Sequence, residues 1–177
     1  KKIPGLTASS MFVAELLQPK QLEHILNDLK TVHECGSSSD ECGRSSDENI
    51  YLNYCFKIQR RYESCTDIYQ KLPDSGQMYI EWIEYFTNYE KQRSGVPSMV
   101  IHGDPVFTNI IVNKHNRNYF IDPRGKLGDI YTTSGDQLYD YAKVYQSILG
   151  YDEILLQKTV THEYRAKILR VFESNID

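Results

Sequence analysis

Apolar residues return at helical spacing through much of the chain, and the clearest stripe follows Pro19. Its members recur every three or four positions: Leu22, Ile25, Leu26, Leu29 and Val32. Residues at this spacing share one face of a helix, and proline is favoured in a first helical turn. The pattern therefore predicts a helix from about Pro19 to His33, with that face buried.

Weaker periodic runs predict five more helices. Ser9 or Ser10 can cap a short first helix that reaches about Leu17. The others cover about Ile50–Leu72, Gln77–Gln92, Tyr139–Leu149 and Thr161–Phe172. The helix over Gln77–Gln92 carries an apolar stripe formed by Tyr79, Trp82, Ile83 and Phe86. We expect this stripe to be buried, and stacking of a ligand on Trp82 is the alternative.

Strand patterns are confined to the middle of the chain. The apolar run Ser98–Ile101 predicts a short buried strand. Ile110–Val112 and Tyr119–Ile121 flank the polar, turn-prone segment Lys114–Asn118, which predicts a β-hairpin. The expected fold is therefore α+β, a single mostly α-helical domain over residues 1–177 with one small hairpin.

Composition agrees with one compact domain, since 40% of the residues are hydrophobic and 25% are charged. A net charge of −4 argues against a nucleic-acid partner, because such proteins usually present a basic face. The apolar runs are too short to span a membrane, so we expect no membrane partner.

The polar, acidic segment Cys35–Asn49 predicts a mobile loop.

The four cysteines include no Cys-x-x-Cys pair, and a reduced, cytoplasmic setting is the default expectation. Cys55 and Cys65 are expected to be small buried hydrophobic residues. His33, Cys35 and Cys42 do not have the spacing of a common zinc site and lack a fourth ligand.

The candidate chemistry lies around the predicted hairpin. His102-Gly103-Asp104 is followed by Asn109 and, after the hairpin, by Asp122. Pro105 disfavours helical dihedrals at Asp104, which therefore lies on a loop. The hairpin brings Asn109 and Asp122 together at its open end, close to Asp104. A carboxylate that orients a hydroxyl, with two oxygen ligands for Mg²⁺, is what phosphoryl transfer from ATP requires.

These residues resemble the aminoglycoside phosphotransferase and choline kinase superfamily, the small-molecule branch of the protein-kinase-like fold. That family has a His-Gly-Asp loop, an Asn five positions later and an Ile-Asp after a hairpin. It also has Gly-Asp-x-x-x-Asp-Leu-Ala at a helix start, which residues 135–142 match except that Tyr141 replaces the leucine. The resemblance implies a kinase-like C-terminal lobe, with residues 98–124 as its catalytic loop and metal-binding hairpin.

By the same resemblance Asp104 is the catalytic base and ATP and Mg²⁺ are the cofactors. Asn109 and Asp122 are then the metal ligands. His102 is expected to support the loop. Arg124 either holds a phosphate or acidic substrate group, or pins Asp122 through an ion pair.

Two further acidic residues, Asp129 and Asp136, are lower-ranked candidates, and Asp136 and Asp140 are expected to be structural. The segment Asp122-Pro123-Arg124-Gly125 departs from the family, where an aromatic residue usually follows the Asp. Similar segments in some relatives suggest a sugar, a polyol or an amino alcohol in surface-polysaccharide metabolism as the hydroxyl acceptor.

The sequence lacks the glycine-rich loop and the strand lysine that hold ATP in kinases. Residues 1–7 resemble the hinge between the two kinase lobes. The expectation is a C-terminal lobe whose partner is an N-terminal β lobe or a fused upstream domain, and which is inactive alone. The alternatives are a pseudo-kinase or nucleotide-binding module without catalysis, and a metal-dependent phosphohydrolase.

Overall fold

The computed structural model describes residues 2–35 and 49–176. The helices within these ranges are α1 (Ala8–Val13), α2 (Pro19–Glu34), α3 (Cys55–Ser64), α4 (Thr66–Tyr69), α5 (Ser75–Lys91), α6 (Gln137–Gln146), α7 (Asp152–Leu156) and α8 (His162–Glu173). The strands are β1 (Leu6–Thr7), β2 (Pro97–Ser98), β3 (Ile110–Val112), β4 (Asn118–Phe120), β5 (Lys126–Leu127), β6 (Ile130–Tyr131) and β7 (Gly135–Asp136). Helices make up about 54% of the described residues, which confirms the α+β class.

The hydrophobic core is built by α1, α2, α6 and α8 together with β3. The predicted α2 stripe is buried at Leu22, Ile25, Leu26 and Leu29, and Val32 is half-buried. Phe12 and Phe107 are fully buried with ring centroids 5.4 Å apart, and they join the first helix to the segment before β3. The core therefore lies directly beneath the loop that carries the candidate residues.

The strands form three small antiparallel sheets. β3 pairs with β4 in the register Ile110↔Phe120, which confirms the predicted hairpin. β1 pairs with the other edge of β3, so the three strands form one sheet in the order β1-β3-β4. β2 pairs with β7, and β5 pairs with β6.

Several predicted boundaries are wrong. The first helix starts earlier than expected, because Thr7 rather than a serine caps it and accepts a hydrogen bond from the Ser10 N–H. The expected long helix over Ile50–Leu72 consists of the short α3 and α4. The expected strand Ser98–Ile101 is limited to Pro97–Ser98, since Ile101 bonds to the Thr133 carbonyl of a loop instead.

The predicted burial of the α5 stripe is also wrong, since α5 has no buried residue. Trp82 is 50% exposed, and Tyr79, Ile83 and Phe86 are half-buried. Periodicity correctly indicates the apolar face, but α5 packs on α3 and part of that face stays open. Cys65 is exposed and Cys55 half-buried, so neither is the buried residue that was expected.

Most of the predicted mobile loop over Cys35–Asn49 lies outside the described residues. Within the part of the chain that is described, none of the helices has the length and apolar character needed to cross a membrane.

Candidate active site

The backbone of the loop from His102 to Asn109, here called the candidate loop, is fixed by a buried carboxylate on α6. Asp140 is fully buried and accepts hydrogen bonds from the N–H groups of His102 and Gly103 at 2.8 and 2.7 Å. Its Oδ2 also lies 2.9 Å from Nε2 of His33 on α2. Because three groups converge on one carboxylate, the start of the loop is tied to two helices of the core.

Asp104 follows this anchored backbone with its side chain partly exposed, although its Oδ1 atom is buried. Its side chain is 42% exposed, and Oδ1 lies 3.0 Å from Nζ of Lys143, one turn after Asp140 on α6. Its N–H donates to Nδ1 of His102 at 3.3 Å. Nε2 of the same imidazole lies 3.0 Å from the Ile121 carbonyl, so His102 joins the candidate loop to the segment after β4.

Asn109 lies at the end of a 3₁₀ turn, Phe107–Asn109, immediately before β3. Its side-chain amide donates to the Asp104 carbonyl at 3.0 Å, and its own carbonyl accepts from the Ile121 N–H at 2.9 Å. These two bonds bring Asn109 against both the candidate loop and the residue before Asp122. The hairpin therefore joins the three predicted positions at one end of the sheet.

Asp122 is exposed and has a left-handed backbone, with φ of 57°. Among residues 2–35 and 49–176, neither its carboxylate nor Oδ1 of Asn109 has a hydrogen-bond partner or an ion pair. These are hard oxygen donors of the kind that Mg²⁺ prefers. Their chemistry fits the predicted metal, although no cluster of three His, Cys, Asp or Glu side chains occurs within the described ranges.

Arg124 does not pin Asp122, since no ion pair joins these two described residues. Its guanidinium carbon instead lies 4.6 Å from the ring centroid of Tyr139 on α6. Its Nε and one terminal nitrogen are buried without a hydrogen-bond partner in the described structure. An unpaired buried guanidinium nitrogen is costly, which favours the other prediction, that Arg124 binds an acidic group.

Tyr139 is surrounded by cations. Its hydroxyl accepts a hydrogen bond from Nζ of Lys57 at 3.0 Å, and Nζ of Lys143 lies 5.7 Å from its ring centroid. Burial raises the pKa of Tyr139, but the Lys57 hydrogen bond and the charges of Lys143, Lys57 and Arg124 outweigh burial and hold that pKa below its usual value. The site thus has an excess of positive charge beside Asp104.

The two remaining acidic candidates lie apart from this chemistry. Asp136 caps α6 and is buried, and it accepts from the hydroxyls of Tyr54 and Tyr89, both at 2.7 Å. Burial and the neighbouring Asp136 raise the pKa of each tyrosine. Asp129 is an exposed partner of Lys126 at 3.0 Å. Asp136 is therefore structural, and Asp129 is solvated.

Sequence reasoning missed Lys57, Tyr139 and Lys143. Helix geometry offers a signal for Lys143, because residues three apart share a helix face and Asp140 was already singled out. Lys57 lies on α3 and Tyr139 on α6, and their contact joins residues 82 positions apart, which no local pattern encodes. His33 contacts Asp140, and Cys42 lies outside the described residues.

The chain was compared with protein-family models, with curated protein sequences and with solved structures, and no match was found.

Proposed function

We propose that this chain carries the catalytic residues of an ATP- and Mg²⁺-dependent phosphotransferase that acts on a small-molecule hydroxyl. A sugar, a polyol or an amino alcohol is the acceptor that the sequence suggests. The observation that supports the proposal is the pair of hydrogen bonds by which Asn109 joins the Asp104 carbonyl to Ile121, the residue before Asp122. A carboxylate for the hydroxyl and oxygen ligands for Mg²⁺ are groups that kinase chemistry needs.

Asp104 is the group that receives the acceptor hydroxyl. Its carboxylate accepts a hydrogen bond from that hydroxyl and takes the proton as the hydroxyl oxygen bonds to the γ-phosphorus of ATP. The bond from that phosphorus to the bridging oxygen breaks, and ADP leaves. Asp140 positions Asp104 by holding the backbone of His102 and Gly103. Positioning accounts for much of the acceleration in such reactions, because the protein does little covalent chemistry.

Asn109 and Asp122 are the residues that would hold Mg²⁺, which supplies charge neutralisation to the phosphates when bound. Lys143 balances the charge of the Asp104 carboxylate, with Nζ 3.0 Å from Oδ1. The proposed reaction also needs groups that hold the triphosphate. We assign these to an N-terminal lobe or fused upstream domain of kinase type, with which this chain acts.

The test is substitution of Asp104 and Asp122 in the complete protein, with any N-terminal lobe present. We expect Asp104→Asn to lower Mg²⁺-dependent phosphoryl transfer by about a hundredfold to ten-thousandfold, the range for loss of a general base. Asp122→Ala should abolish transfer and weaken Mg²⁺ binding measured by calorimetry. Asp129→Asn, on an exposed carboxylate, is the matched control and should behave as wild type.

Three outcomes separate the alternatives. Normal ATP turnover by Asp122→Ala would show that the metal assignment is wrong. Nucleotide binding without any turnover by the wild-type protein would support a pseudo-kinase instead. Release of phosphate from phosphate monoesters without ATP would support a metal-dependent phosphohydrolase.

A further inference from the structure

A second feature of the molecule lies next to Asp104 and is not used by the chemistry above. It is a cavity of about 650 Å³ between α3, α4, α5 and α6, here called the aromatic cavity. Lys143 lines it, and Nζ of this lysine is 3.0 Å from Asp104 Oδ1. Lys143 therefore connects the cavity lining to the carboxylate that is proposed to receive the acceptor hydroxyl, and the cavity volume is in the range of small-molecule sites.

Flat rings form its walls. Tyr62 and Tyr79 stack with ring centroids 4.2 Å apart, and Trp82 stacks on Phe86 at 5.7 Å. Trp82 is 50% exposed and Met78 52% exposed, so the walls are accessible. Exposed aromatic faces bind ring-shaped ligands, but they also attract organic cations. The walls alone do not decide the charge of the ligand.

The charged residues of the cavity lining indicate the charge of the ligand. Lys57, Arg61 and Lys143 line the cavity, and no Asp or Glu belongs to this lining among the described residues. Lys143 is balanced by Asp104, whereas Lys57 and Arg61 form no ion pair in the described part of the chain. A cationic ligand would meet repulsion there. An anion would gain charge-assisted hydrogen bonds.

The residues around Tyr139 also favour an anionic ligand. This residue lines the cavity, and Arg124 lies on its ring with buried nitrogens that lack a partner. The chain as a whole has a net charge of −4, so a lining with three cations and no carboxylate among the described residues departs from the average of the molecule. Local charge of this kind stabilises a bound anion.

We propose that the aromatic cavity binds the phosphoryl acceptor and selects a hydroxylated small molecule that has a flat ring and an anionic group, either carboxylate or phosphate. The identification of this ligand as the acceptor rests on the proposed phosphotransferase function. The inference narrows the acceptor class, because amino alcohols and amino sugars carry the wrong charge for this lining.

The test uses three probes that share one ring and one hydroxymethyl group. They are 4-(hydroxymethyl)benzoate, 4-(hydroxymethyl)benzylamine and the neutral 1,4-benzenedimethanol. Trp82 is the single tryptophan of the 177 residues and lies in the cavity wall, so its fluorescence reports binding without a label. Titrations are performed on the purified chain without nucleotide, and calorimetry gives a second measure of the affinity.

We expect the benzoate to bind about tenfold or more tightly than the benzylamine, which is the contribution of one charge-assisted hydrogen bond. Lys57→Met should weaken benzoate binding by about tenfold, since it removes a cation that forms no ion pair in the described structure and keeps the length of the side chain. Lys167→Met, on an exposed residue of α8, is the matched control and should leave the affinity unchanged.

Equal or tighter binding of the benzylamine, or no binding of any probe, would overturn the inference. So would a benzoate affinity that Lys57→Met does not change. The two proposals fail separately, because probe binding is measured without ATP. If the chain prefers the benzoate but the complete protein forms no phosphorylated product, the phosphotransferase proposal fails and the anion selectivity of the cavity remains.

Discussion

Two buried carboxylates, those of Asp140 and Asp136, form hydrogen bonds that link the region of the candidate loop to other parts of the chain. Asp140 binds two loop N–H groups and contacts His33, whereas Asp136 caps the same helix and holds the hydroxyls of Tyr54 and Tyr89. Sequence reasoning assigned both acidic residues to the start of a helix. Position in the helix explains Asp136, but the role of Asp140 comes from its partners, which are distant in sequence.

Asp140→Asn should lower the free energy of unfolding by about 2–4 kcal/mol, because the amide NH₂ faces at least one buried donor and leaves it unpaired. Asp129→Asn serves as the control. The Asp129 side chain is 92% exposed and its ion pair with Lys126 is worth less than about 1 kcal/mol. Urea unfolding followed by circular dichroism measures both. Equal midpoints for the two variants would contradict the anchoring role of Asp140.

At the scale of secondary-structure elements, the hairpin and the candidate loop meet through close backbone contacts. Gly103 has φ of +82°, and a Cβ atom there would lie 2.8 Å from Cβ of Arg124. Glycine at this position therefore lets the loop approach the segment after β4. That approach keeps Arg124 against Tyr139 and keeps Asp104 beside Lys143.

Gly103→Ala should cost about 2–4 kcal/mol, the sum of left-handed backbone strain and the overlap with Arg124. Gly125→Ala isolates the strain, because Gly125 has φ of +57° but open space around the added Cβ, and it should cost about 1–2 kcal/mol. Urea unfolding gives both values. If the two alanines cost the same, the contact between Gly103 and Arg124 does not limit the loop.

Local sequence patterns predicted the elements whose stabilising contacts are also local. The α2 stripe and the β3–β4 hairpin are confirmed, since spacing and turn residues specify them. The burial predicted for Trp82 is wrong because periodicity identifies an apolar face and does not reveal whether another layer covers it. Lys57 and Tyr139 were missed for a related reason, since their contact depends on how helices pack.

At the scale of the whole molecule, the two parts of the structure are packed differently. α1, α2, α6 and α8 surround fully buried side chains, whereas α3, α4 and α5 have no buried residue. The aromatic cavity lies between this second group and α6. The candidate loop belongs to the first group through Asp140.

Hydrogen exchange should reveal this difference. Backbone amides of α3 and α5 are expected to exchange before those of α2 and α8, because helices with few buried contacts open at lower free energy. Exchange followed by mass spectrometry of peptides measures both groups in one experiment. Simultaneous exchange of all four helices would show that the molecule opens as one unit.

The open packing of α5 has a consequence for how such a protein can diversify. Substitutions that reshape its exposed ring surface remove few buried contacts, so they change folding stability little. Substitutions around Asp140 have no such freedom. The ring surface of α5 can thus change from one descendant to the next while the candidate loop and its anchor at Asp140 stay fixed.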